Sequence, residues 1–110
     1  MYEYKAIVRK IYDADTVTLD IDLGFYTWIH SQSCRLLGIN APEVTGVEKP
    51  QGIISRDTLR SWIPLESEVT IKTYKDDSDK YGRWLVEIFY EGVNINQKLL
   101  NEGFAQEYQG

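Results

Sequence analysis

Three short stretches concentrate the polar chemistry of this 110-residue chain: "YDADTV" at Tyr12 to Val17, "CRLLGINAPE" at Cys34 to Glu43, and "DKYGR" at Asp79 to Arg83. Asp13 and Asp15 are two residues apart, so an extended backbone puts both side chains on the same side. Paired carboxylates at a strand end suit a hard divalent cation, which prefers oxygen ligands. Taken alone, the pair is better read as a turn, because Asp is favoured there for its local hydrogen bonds. The second stretch adds the Asn40 amide, the Ala41 backbone carbonyl and the Glu43 carboxylate. Pro42 fixes one backbone dihedral and pushes Ala41 toward an extended conformation, so the local geometry is set in advance.

Arg35 interrupts an otherwise apolar strand. It points either inward, where it needs a partner or a ligand, or outward to solvent. Arg83 follows Gly82, which permits a sharp turn, and precedes the apolar run Trp84 to Tyr90. A guanidinium is a planar, permanently charged fork that can grip two phosphate oxygens at once. Two of them near a cation would form a phosphate clamp. The loop at Asp77 to Gly82 has Gly at the sixth position of an EF-hand, but Tyr81 at the fifth and Ile88 at the twelfth fail that pattern. Asp76, Asp77 and Asp79 therefore read as a solvated loop. With His30 the only histidine and Cys34 the only cysteine, neither a disulfide framework nor a zinc or iron-sulfur site is available. Both residues are expected to be structural, and any metal chemistry must use oxygen.

These clusters need a scaffold. The chain is the size of one domain, 1–110, with 43% hydrophobic and 26% charged residues, an ordinary globular balance. A net charge of -5 argues against a general polyanion-coating surface but leaves room for a local basic patch. No apolar stretch approaches the roughly 20 residues needed to span a bilayer. Met1 leads straight into "YEYKAIV" without a basic region and apolar run, so a cytoplasmic protein without a membrane partner is the default expectation. A secreted mature form or a phage or plasmid origin stays open.

In "TVTLDIDLG", Val17, Leu19, Ile21 and Leu23 alternate with polar residues, the mark of a strand with one buried face. A hairpin is expected around Leu23 and Gly24, and "YKAIVRKIY" ahead of it completes a three-stranded meander. Val44 to Gly52 reads as a loop. "IISRDTLRSWIP" places Ile54, Thr58, Leu59, Trp62 and Ile63 near one helical face, with Pro64 as a stop. "EVTIKTYK" and "RWLVEIFYEG" supply two more strands. Asn94 with Gln97 resembles a capping box and Gly103 a helix C-cap. Five strands, with one helix between the third and fourth and one after the fifth, is the order of an OB-type β-barrel.

In order and spacing, "DADTV", "RLLGINAPE" and "DKYGR" together resemble the staphylococcal nuclease-like (thermonuclease) domain, over about Ile7 to Ala105. The resemblance implies a five-stranded OB-fold and calcium-dependent hydrolysis of DNA, with RNA as a second candidate, leaving 3′-phosphate ends. It implies Asp15, Asn40 and the Ala41 carbonyl as metal ligands, with Asp13 a supporting carboxylate. Glu43 matches the residue that positions or deprotonates the attacking water, and Arg35 and Arg83 match the phosphate-binding arginines. Lys80 and Tyr81 match residues flanking the nucleotide phosphate. Asn40 stands where the family has a second carboxylate, which removes a formal charge and opens the site to divalent cations other than calcium. Longer family members continue past "EGFA" with a further helix, and a neighbouring subunit is one candidate to cover that side; the oligomeric state stays open. The substrate implied is single-stranded or frayed DNA. The competing reading is a noncatalytic OB module that binds nucleic acid or protein through a weakened metal site.

Overall fold

The computed structural model describes residues 2–74 and 82–108. Its elements run β1 (Tyr2–Asp13), β2 (Thr16–Gly24), β3 (Thr27–Leu36), β4 (Ile39–Asn40), a 3-10 turn (Gly46–Glu48), α1 (Lys49–Trp62), β5 (Glu68–Tyr74), β6 (Trp84–Tyr90), β7 (Val93–Asn94), α2 (Ile95–Asn101) and β8 (Gln106–Glu107). The five long strands are the expected five, and the helices fall where the OB order requires. The strands lie in the order β3-β2-β1-β5-β6, and β3 also pairs with β6, so the sheet closes on itself. That closing pair is parallel, with Cys34 opposite Trp84, Arg35 opposite Leu85 and Leu36 opposite Val86.

A register shift at Arg9 decides which side of β1 reaches the core. Ala6 and Val8 before it, and Ile11 and Asp13 after it, are all buried. The bulge resets the alternation, as an extra residue in one strand must, and so carries Asp13 onto the buried face. The β2–β3 turn sits at Phe25 and Tyr26, beyond the Leu23–Gly24 position expected from sequence. Gly24 still pairs with Thr27, which leaves a two-residue loop with positive φ at both positions, 54° and 62°. That is the turn whose twist matches the strands it joins.

The loop expected over Val44 to Gly52 is shorter than that, because α1 already begins at Lys49. Pro50 in the first turn is preset for a helical φ. The buried stripe of α1 is Gly52, Ser55 and Leu59, followed by Ile63, while Ile54 is 52% exposed. Small residues head that stripe because the helix meets backbone there: a Cβ on Gly52 would lie 2.0 Å from the Glu43 carbonyl oxygen. Half of the capping box forms in α2. Asn94 Oδ1 accepts from the Gln97 N–H at 3.1 Å, but the Gln97 side chain turns to Asn101.

Ile11, Leu19, Ile21, Leu36, Ile71 and Ile88 of the barrel strands are fully buried, and Leu59 of α1 and Leu99 of α2 belong to the same core. Asn96 ties the second helix to the seam. Its Nδ2 donates to the Leu37 and Val86 carbonyls at 3.0 and 3.1 Å, and its Oδ1 accepts from Ile88 N at 3.1 Å. All its polar atoms are engaged, which is what makes a buried amide tolerable. No helix among the described residues is long and apolar enough to cross a membrane.

Candidate active site

Asp15 anchors the site. It sits in the tight β1–β2 turn, where its backbone N–H donates to Asp13 Oδ1 at 3.1 Å and its carbonyl accepts from Leu36 N at 2.9 Å. The turn reading of the Asp pair is therefore satisfied: Asp13 shapes the turn that presents Asp15. Asp15 Oδ2 accepts from the Ala41 N–H at 2.8 Å and lies 3.4 Å from Arg35 Nη1. The main chain of the "NAPE" segment is thus pinned to the same carboxylate, and what Ala41 offers Asp15 is its N–H.

Arg35 resolves the choice between inward and outward in an unexpected way. Cys34 and Leu36 on either side are fully buried in the barrel, so Arg35 points off the core. Its side chain is nonetheless only 16% exposed, because β4 and β8 wrap over it. Nη2 donates to the Ile39 carbonyl at 3.1 Å and approaches Asn40 Oδ1 at 3.4 Å. Tyr108 covers the guanidinium face, with its ring centroid 4.9 Å from Cζ. Pairing of Ile39 with Glu107, and the 3.0 Å bond from Tyr108 N to the Gly38 carbonyl, fix that ring. Tyr108 has no signal in the sequence, since only the β4–β8 pairing brings it to Arg35. A cation over an aromatic face is worth about 0.5–1 kcal/mol, so Tyr108→Ala is expected to destabilise the fold by about that much while Tyr108→Phe restores it. Urea unfolding of the two variants checks this.

Asp13, Asp15, Arg35, Asn40, Ala41, Glu43 and Arg83 all line one cleft of about 430 Å³. Lys80 and Tyr81 lie outside the described residues. Glu48, which sequence alone does not single out, joins the cleft from the start of α1, and its Oε1 accepts from Glu43 N at 3.4 Å. Glu43 is thus held from two directions, by Glu48 through its N–H and by the close approach of Gly52 at its carbonyl. Among the described residues no three His, Cys, Asp or Glu side chains converge as a ready metal site. The oxygen donors are the two aspartates, the Asn40 amide and main-chain carbonyls, a wholly hard set suited to a hard cation.

Burial, followed by the neighbouring Asp15 carboxylate, pushes the Asp13 carboxyl up to about 7. Asp20, on β2, behaves oppositely. The Ser31 N–H at 2.8 Å and the Arg9 Nε at 2.6 Å hold it down at about 2. A raised carboxyl binds its proton more tightly when folded, so Asp13 costs stability progressively as pH rises from about 4 to 7; the Asp20 contribution is complete above about pH 4 and is lost as pH falls toward 2. Asp13→Asn is therefore expected to raise the melting temperature at pH 7–8 and leave it nearly unchanged at pH 4, as thermal unfolding across that range would show. His30 Nδ1 lies 3.3 Å from Asp20, away from the cleft. Burial raises the Cys34 thiol to about 12, which makes it unreactive at neutral pH. Neither residue contributes to the cleft.

Comparison with known proteins supplies the family context. The family described as "Staphylococcal nuclease homologue" matches residues 33–110. The chain is similar to Endonuclease YhcR of Bacillus subtilis, 27% identical across 96% of this chain and 9% of that protein. It is similar to a Thermonuclease of Staphylococcus hyicus, 27% identical across 94% of this chain and 57% of that one. A Probable staphylococcal-like nuclease, CAN1 of Oryza sativa subsp. japonica, is 34% identical across 67% of this chain and 20% of its own length. The chain thus spans less than two thirds of the length of the curated relatives it matches.

Proposed function

This chain belongs to the staphylococcal nuclease family, and from that membership we propose that it is a metal-dependent nuclease that hydrolyses phosphodiester bonds of DNA, with RNA a second substrate. The observation that carries the reading is the convergence of Asp15, Arg35, Asn40, Glu43 and Arg83 on one cleft. Arg35 and Arg83 grip the nonbridging oxygens of the scissile phosphate, where charge accumulates as the reaction proceeds. Glu43 takes a proton from the attacking water, whose oxygen bonds to phosphorus as the bond to the 5′ oxygen breaks. A proton from solvent goes to the departing 5′ oxygen and Glu43 returns its own to solvent, leaving a 3′-phosphate and a 5′-hydroxyl.

Asp15 and Asn40 would hold the cation, with the Ala41 carbonyl as a further oxygen and Asp13 in support; calcium is the ion we propose, and it would supply positive charge at the phosphate. Because Asn40 is neutral and Arg35 already lies 3.4 Å from Asp15, the protein's own donor charge is low. Substrate phosphate would add to that charge. Asn40→Asp is therefore expected to lower the calcium concentration needed for half-maximal cleavage by about tenfold, the order expected of one added ligand charge. Cleavage of a fluorescent single-stranded DNA across a calcium titration tests this together with calcium binding by calorimetry. Inertness of the native chain at millimolar calcium, with strand binding retained, would instead establish a noncatalytic OB-type binding module.

A further inference from the structure

A second cavity, of about 300 Å³, adjoins the first and shares Asn40, Ala41 and Glu48 with it. Its remaining walls include Gln51 from the first turn of α1, and Phe104 and Gln106 from the segment that runs from α2 into β8. Three carboxamides, Asn40, Gln51 and Gln106, therefore face one space, and each carries both a donor and an acceptor. A nucleobase edge presents the same mixture, and Asn and Gln are the side chains that meet such edges in pairs. Phe104 adds a half-buried aromatic surface, itself backed edge-on by Trp62 at 5.9 Å. Aromatic rings of this kind take bases by stacking with little regard to identity.

Charge decides between the two parts of a nucleotide that could enter. Among the described residues Glu48 is the only ionisable side chain in this wall, and no described lysine or arginine lines it. A phosphate would be repelled there, whereas a neutral base would not. The adjoining cleft has the two arginines and suits the phosphate. The shared residues Asn40 and Ala41 place the two spaces next to each other, as phosphate and base are in a strand.

We propose that this second cavity is a base subsite, which takes the nucleobase of the nucleoside flanking the scissile phosphate through the Gln51 and Gln106 amides and the Phe104 ring. It rests on the nuclease reading for the place of the phosphate. The test uses strands of uncharged methylphosphonate linkages with a single native phosphodiester, intact or lacking the base on one side or the other of that bond. For the native chain, removing the base on one side is expected to lower kcat/KM tenfold or more. In Gln51→Ala/Gln106→Ala the intact strand falls in kcat/KM and the dependence on that base shrinks several-fold, the Phe104 ring alone remaining to hold it. Both glutamines are exposed, and an unchanged melting temperature verifies that the fold survives. Full retention of base dependence by the double variant overturns the subsite while leaving the nuclease reading intact. If no strand is cut, the nuclease reading fails by itself, and fluorescence anisotropy of the same strands reads the subsite. Weaker binding of one abasic strand, seen in the native chain and reduced in the variant, sustains it, and equal affinities overturn it.

Discussion

Arg35→Lys should reduce DNA cleavage by about 10³-fold or more, the lower end of what an arginine on a transferring phosphoryl group contributes in other enzymes. The magnitude follows from what lysine cannot reproduce. Arg35 uses Nη2 on the Ile39 carbonyl and places Nη1 3.4 Å from Asp15 Oδ2, and Tyr108 covers its face. An ammonium has no plane to cover and no fork to share between anchors and ligand. The charge would remain, but its direction would not. A loss confined to kcat, with strand affinity within a few-fold of native, would show that the guanidinium acts mainly in the transition state. A loss confined to KM would assign it to ground-state binding and remove it from the catalytic role.

Glu43→Gln should lower kcat by about 10²–10⁴-fold, the range for a general base, with KM nearly unchanged. The substitution keeps the shape and the Glu43 N–H bond to Glu48, so the backbone contact with Gly52 is undisturbed. Only proton acceptance is lost. The pH–rate profile sharpens the result: the acidic limb assigned to the base should vanish in the variant. If that limb persists with kcat unchanged, Glu43 is not the base, and Glu48, which lines the same cleft, becomes the residue to replace.

Much of the site could be read from residue types and short spacings. Asp13 and Asp15, which alone would pass for a turn, gain a site role from their order and spacing relative to the "RLLGINAPE" and "DKYGR" clusters. Arg35 does so because a guanidinium in an apolar strand needs a reason. What was illegible depends on pairing between distant segments. Tyr108 reaches Arg35 only because β8 pairs with β4, and Asn96 reaches Leu37 and Val86 only because α2 lies across the seam. The early start of α1 was hidden by Gly52, which reads locally as a breaker but is required by the close approach of the Glu43 carbonyl. The β1 bulge was hidden for a similar reason, since strict alternation from Ala6 and Val8 predicts Lys10 and Tyr12 as buried, where Ile11 and Asp13 are found.

The parallel seam between β3 and β6 has a consequence for how the protein comes to be able to bind at all. Arg35 lies in one strand of that seam, and Arg83 immediately precedes the other. The two belong to distant parts of the chain, and contacts of such long sequence separation carry a substantial loop-closure cost in folding. A chain with the β1–β2–β3 meander formed but the seam open has its paired aspartates in place and no clamp. The side-by-side placement of the two arginines is therefore a property of the closed barrel alone. Any anion bound between the arginines would draw the folding equilibrium toward closure by mass action, so a ligand of the cleft would help to complete the barrel that holds it.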